Sequence, residues 1–312
     1  MKIVFFGSSH FAVSALQALI DKGEDIICVV TQPDKKKGRH LHLSKTDVKT
    51  VALESGLKVY QPQDINTKES KEFLTSLSSD LFVIVAYGQL LSQEILDIPK
   101  IMPINIHASL LPKYRGAAPI NWAIINGDKT TGVTIMKVTK KMDSGPIILQ
   151  KSVQVSDLDT FINLEDGLRS LGSELLLEAI SLIKNKKFKL IPQDESKVSF
   201  AAKLKKRDGG IDWDKPAVKI YNLIHGTLPW PGAFTHYKGK LLKIFNASVI
   251  TDLKNEAKPG EVIQVSKSGL IIATGKDCLK INELQIEGKR KMNIEEFIAG
   301  HKIKVGEKLS CN

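Results

Sequence analysis

The sequence predicts an α/β protein: a Rossmann-like, mostly parallel sheet with helices on both faces, followed by a small C-terminal β-barrel of OB-like type. Three observations carry this. Within residues 1–190, short apolar runs alternate with stretches of helical periodicity, the pattern of strands separated by crossover helices. Residues 191–207 are polar, carry Pro192 and run toward Gly209-Gly210, which marks a linker. From residue 208 to 312 the apolar runs shorten and are parted by Gly, Lys and Asn, as in a barrel. A length of 312 residues suits two such domains.

The first strand is Lys2 to Phe6, stopped by Gly7. The helical stretch Phe11 to Ile20 follows, and Ile26 to Val30 resumes the strand pattern, completing a βαβ unit. Helical patterns recur around residues 45–55 and 68–77, and buried-strand runs at Leu81 to Ala86 and Ile101 to Ile106. Wholly apolar strands of this kind belong in a sheet covered on both faces. Leu164, Leu168, Leu171, Leu175, Leu176, Ile180 and Ile183 share one face of a long helix that closes the first domain. The barrel strands are expected at Leu241 to Phe245, Gly260 to Val265, Leu270 to Ala273 and Cys278 to Leu284.

Composition excludes several classes. With 42% hydrophobic and 25% charged residues the chain is neither disordered nor fibrous. No apolar run approaches the ~18 residues of a membrane span, and the run at Met1 to Phe6 breaks too early for a signal-peptide core. The expectation is a cytoplasmic protein with no membrane and no protein partner implied. Cys28, Cys278 and Cys311 are widely spaced and form no disulfide or zinc pattern. The net charge of +11 favours a polyanionic partner. Most of it sits late in the chain: residues 203–312 hold 20 basic against 12 acidic residues, and residues 1–202 hold 25 against 22.

The turn Gly7-Ser8-Ser9-His10-Phe11 lacks the further glycines of a dinucleotide-binding loop and reads as an ordinary βα turn. The chemistry lies in Ile104-Asn105-Ile106-His107, followed by Ala108 to Pro119. Side chains two apart on a strand share a face, so Asn105 and His107 point to one place, at the strand end where open parallel sheets bind ligands. A histidine acid or base needs an orienting carboxylate, and Asp143, in a turn between two strand-like runs, is the candidate. An amide that steadies a growing oxyanion beside an imidazole that moves a proton suits acyl transfer to an amine.

Asn105-x-His107, the run Ser109-Leu110-Leu111-Pro112-Lys113-Tyr114-Arg115-Gly116 and Asp143 resemble the folate-dependent formyltransferases. The basic run Lys35, Lys36, Lys37, Gly38 and Arg39, and a second domain bearing Gly210-Ile211-Asp212-Trp213 and Leu228 to Ala233, are similar to the branch that modifies tRNA. The resemblance implies 10-formyltetrahydrofolate as formyl donor, initiator methionyl-tRNA as acceptor, and catalysis by Asn105, His107 and Asp143 without a metal. It places the folate against Tyr87, Gly88, Gln89, Leu90, Leu91, Ser109, Leu110, Leu111 and Pro112. Lys35, Lys36, Lys37, Gly38, Arg39 and Arg115 are then the substrate contacts. A formyltransferase for a sugar-nucleotide or glycinamide-nucleotide amine is the alternative, and it has no need of a basic loop or a basic barrel.

Overall fold

The structure, a computed structural model, describes residues 1–37, 42–253 and 256–310. The chain forms two compact units. The first takes Met1–Pro119, Thr130–Val153 and Glu165–Ala201, and the second takes Ile120–Lys129, Gln154–Leu164 and Ala202–Asn312.

The first unit begins with β1 (Ile3–Gly7), buried at every position. Helix α1 (His10–Asp21) turns Phe11, Ala12, Ala15, Leu16 and Leu19 inward, the spacing of one helical face. β2 (Ile26–Val30) leads to an antiparallel ribbon of β3 (Lys35–Lys37) and β4 (His42–Ser44). Thr46 then caps α2 (Asp47–Glu54), its side chain accepting from Lys49 N, which satisfies a donor the first helical turn leaves open. After β5 (Val59–Tyr60), Thr67 caps α3 (Lys68–Ser76) in the same way. β6 (Leu81–Val85), α4 (Gln93–Leu96) and β7 (Met102–His107) follow, then the two-residue β8 (Arg115–Gly116). Helix α5 (Pro119–Asn126), which after its first residue counts with the second unit, precedes β9 (Thr130–Lys137) and β10 (Ile147–Gln154). Helix α6 (Phe161–Lys184) and β11 (Phe200–Ala201) complete the set.

The main sheet runs β10-β9-β7-β6-β1-β2-β5. Its β7-β6-β1-β2-β5 part is parallel, and β9 joins β7 antiparallel. Val4, Phe6, Cys28, Val30, Phe82 and Ile84 meet Leu74, Ile95 and Leu96 on one face. The intervening Phe5, Val29 and Val83 are equally buried, as strands covered on both faces require. Burying each such side chain stabilises by about 1.5–3 kcal/mol. Burial also holds Cys28 as a thiol, raising its pKa to about 11.

In the second unit α7 (Ala217–Gly226) precedes β12 (Ala233–Tyr237), β13 (Lys240–Ile250), β14 (Val262–Ser266), β15 (Gly269–Ala273) and β16 (Cys278–Ile286). β17 (Met292–Asn293) and α8 (Ile294–Gly300) follow. The strands form an antiparallel sheet ordered β12-β13-β16-β15-β14 around a core that includes Trp213, Ile220, Leu242, Ile272 and Phe297. Its edge strands do not pair directly in that order. Bridges from His236 to Ser310 and from Glu261 to Lys308 tie the chain end to both sides, covering edges that would otherwise stay open.

Candidate active site

The order of strands defines where a ligand can sit. From β1 the chain moves outward through β2 and β5, then crosses back to β6 and β7 on the other side. The loops after β1 and β6 therefore diverge and leave a crevice at the topological switch point. A cleft of about 280 Å³ lies there, lined by Ser8, Ser9, Gln32, Lys35, Tyr87 and Gly88 among others. Ser8 holds its mouth in shape: its hydroxyl donates to Tyr87 O and accepts from Gln32 N. The turn that looked unremarkable for lack of glycines thus forms one wall.

On the neighbouring β7, Asn105 faces Met136 and His107 faces Thr134 across the antiparallel pairing. The Asn105 amide makes no hydrogen bond to any described residue. His107 is buried, and its Nε2 lies 2.9 Å from Tyr114 O. A carbonyl only accepts, so Nε2 carries the proton of that bond. Nδ1 faces Asp143, with Oδ2 at 3.7 Å. The same Oδ2 accepts from Gly116 N at 2.8 Å. Asp143 has φ of +49°, a left-handed turn conformation that Asp tolerates better than most residues. Asp143, 36 positions after His107 in the chain, thus reaches the imidazole through a turn pinned to β8.

Thr134, fully buried, braces the loop after His107. Its hydroxyl donates to Ser109 O and accepts from Leu111 N and Gln150 Nε2. Ser109 Oγ donates to Lys113 O, and the Leu111-Pro112 peptide is cis. Leu111 packs with Met136 and Ile147. Gly145 lies so close to Lys137 O that an added Cβ would sit 1.7 Å away. Only glycine fits there.

Arg115, expected at the substrate, is turned into the protein instead. Its side chain is 1% exposed, donating to Gln193 Oε1 through Nε and Nη2 and to Glu195 through Nη1 and Nη2. The guanidinium holds the Glu195 carboxyl below the usual carboxylate range. A buried guanidinium keeps its charge only with such partners. Gln193 and Glu195, in the polar stretch expected to link the domains, escaped the sequence reading. Their only signal was one Gln and one Glu beside Pro192, a pattern common to any surface loop.

The other expected residues divide by position. Tyr87 and Gly88 line the cleft. Gln89 spends its side chain on Ile65 N and Gln63 O. Leu90 is 69% exposed, and Leu91 packs against the core. Lys35 lines the cleft, and Lys36 and Lys37 continue β3. Gly38 and Arg39 lie outside the described residues.

A parallel sheet with a switch-point cleft, and beyond it a strand whose His107, two residues after Asn105, faces Asp143, defines a class. The chain belongs to the formyl transferase family: residues 1–180 match formyl transferase and residues 203–302 match its C-terminal domain. Among its relatives is the methionyl-tRNA formyltransferase of Caldanaerobacter subterraneus subsp. tengcongensis, 47% identical over 309 residues, which are 98% of this chain and 99% of that one. The fold also matches the N-formyltransferase from Helicobacter canadensis in complex with folinic acid and dTDP-3-aminofucose (TM-score 0.67, 20% identity, 90% of this chain and 98% of that one). It matches HypX from Aquifex aeolicus in complex with tetrahydrofolic acid as well (TM-score 0.64, 19% identity), where 99% of this chain spans 48% of the other. At such identities these two likenesses bear on the fold alone. No helix among the described residues is long and apolar enough to cross a membrane.

Proposed function

We propose that this protein transfers the formyl group of 10-formyltetrahydrofolate to the α-amino group of methionine esterified to initiator tRNA. The observation that carries the reading is the meeting of His107 and Asp143, with the Asn105 amide, unpaired among the described residues, on the same strand face as His107. The choice of acceptor draws support from the end-to-end likeness to a methionyl-tRNA formyltransferase, C-terminal domain included. The basic surplus of residues 203–312 agrees with an RNA acceptor.

The cleft suits a flat heterocycle. Pro33, Ala86 and Tyr87 give it apolar surface, and Gln32 Nε2 is buried without a partner among the described residues. We assign the folate to Tyr87, Gly88, Leu90, Leu91 and the loop Ser109–Pro112, and the acceptor end to Lys35, Lys36, Lys37, Gly38 and Arg39. When bound, the folate supplies an activated formyl carbon. The methionine nitrogen bonds to that carbon, the bond to the folate N10 breaks, and a proton passes from the amine to N10. Asn105 and protonated His107 donate hydrogen bonds to the formyl oxygen as it gains negative charge; one such preorganised donor lowers the barrier by about 3 kcal/mol. Asp143 holds the imidazole and receives the amine proton, directly or through water.

Incubating the protein with 10-formyltetrahydrofolate and methionyl initiator tRNA tests this, with uncharged tRNA alongside. The expected result is one added formyl group on the charged RNA alone, read by mass spectrometry after nuclease digestion. An unmodified methionyl-tRNA, with formylation of a sugar-nucleotide amine in its place, overturns the reading.

A further inference from the structure

The amide of Gln193 uses all of its hydrogen-bonding capacity on three residues. Its Oε1 accepts from Arg115 Nε at 2.9 Å and Nη2 at 2.7 Å. Its Nε2 donates to the carbonyls of Asp143 and Gly145, each at 2.8 Å. Only one orientation of the amide allows this, since the reverse would set N–H against N–H and oxygen against oxygen. Neither carbonyl has another partner among the described residues. One side chain therefore closes the left-handed Asp143 turn from both sides.

Gln193 is itself fixed from behind. Arg115 is buried, and its remaining donors go to Glu195, which also meets Lys141 Nζ at 3.3 Å. On the far side of Asp143, Gly116 N comes from the residue next to Arg115. Arg115 and its neighbour thus hold both the backbone and the carboxylate of the turn. The frame meets the proposed reacting groups only at the Asp143 carboxylate, through Gly116 N.

We propose that Gln193, locked by Arg115, is a positioning residue that sets the Asp143 carboxylate against the His107 ring. The claim rests on formyl transfer being the reaction, and it holds for any amine acceptor. A misplacement of about 1 Å at a reacting group costs on the order of 100-fold in rate, so the frame's effect belongs in turnover rather than in substrate binding.

The test is steady-state formylation by Gln193→Met, which keeps the chain length and removes both polar ends, in the parent and in an Asp143→Asn background. The expected result is a kcat lowered roughly 10- to 100-fold, with KM for tRNA and for folate within about twofold of the parent. In the Asp143→Asn background the same change should lose most of its effect, because the group it positions is already disabled. An unchanged kcat overturns the proposal, and so does an equal loss in both backgrounds, which is what a merely structural role produces. Thermal unfolding accompanies each variant. If Gln193→Met is unfolded, Gln193→Glu takes its place: it keeps Arg115 paired but turns an oxygen toward two carbonyls, and the same outcomes decide. A parent protein inactive on methionyl-tRNA refutes the choice of acceptor, and the comparison is then run on the amine it does formylate.

Discussion

Both polar neighbours of the His107 ring are acceptors, Tyr114 O at Nε2 and Asp143 Oδ2 at Nδ1. Nε2 spends its proton on Tyr114 O, whereas Nδ1, 3.7 Å from Oδ2, is beyond hydrogen-bond reach and is the nitrogen left to serve a developing oxyanion, with the Asp143 carboxylate beside it. Asp143→Asn changes this with almost no change in shape. The Asn oxygen still accepts from Gly116 N, and a neutral NH2 replaces the negative charge beside Nδ1. The imidazole stays in place but loses the carboxylate charge that would steady a cationic donor. We expect kcat to fall about 100-fold or more, with the unfolding midpoint nearly unchanged. Single-turnover formylation beside thermal unfolding checks it, and a rate within about threefold of the parent removes Asp143 from the mechanism. The same residues show why part of the site was legible. Strand parity alone aims Asn105 and His107 together, because alternation is a property of the backbone. The expectation that Arg115 meets the substrate misses its burial, because that burial depends on Gln193 and Glu195, some 80 positions away.

The elements most legible in the sequence are those whose own residues determine their burial. β1, β2 and β6 are apolar along nearly their whole length, and the heptad-like Leu and Ile spacing of α6 places all but Leu171 of its expected inner face in the core. β8 and β11 are different. Each is two residues long, and they exist because Phe200 and Ala201 pair with Arg115 and Gly116. No local pattern encodes such a pairing, and the closure of the second unit by Lys308 and Ser310 is hidden for the same reason. This short pairing admits a sharp test. Gly116 has φ of +127°, and a Cβ there would lie 2.5 Å from Ala201 O, a backbone atom with no freedom to swing away. Gly116→Ala must spread β8 from β11 and shift the N–H that holds Asp143. We expect a loss of about 1–3 kcal/mol of stability together with reduced turnover. Gly23→Ala is the control, with φ of +70° and open space around the added carbon. It carries backbone strain without the clash, about 1–2 kcal/mol, and should leave turnover untouched. Equal effects on turnover would show that the β8 pairing does not support the site.

At the scale of the whole chain, charge and chemistry are distributed differently. The proposed reacting residues belong to the first unit, and most of the positive surplus belongs to residues 203–312. The cluster Lys289-Arg290-Lys291 contributes less than its formal charge, since Arg290 pairs with Glu296 at 2.6 Å and Lys291 with Glu283 at 2.7 Å. The surplus is carried by many lysines spread along the sequence. Such a surface attracts a polyanion through counterion release, and each neutralised phosphate steepens the salt dependence by roughly 0.7–0.9 in log–log slope. The folate has no comparable charge to lose. Raising monovalent salt from about 50 to 200 mM should therefore raise KM for methionyl-tRNA with a log–log slope of roughly 2 or more, while KM for folate and kcat stay nearly level. Initial-rate measurements across that range, varying one substrate at a time, check it. A tRNA slope no steeper than that of folate would mean that the late basic surplus does not bind the acceptor, leaving RNA recognition to the first unit and its Lys35–Lys37 strand.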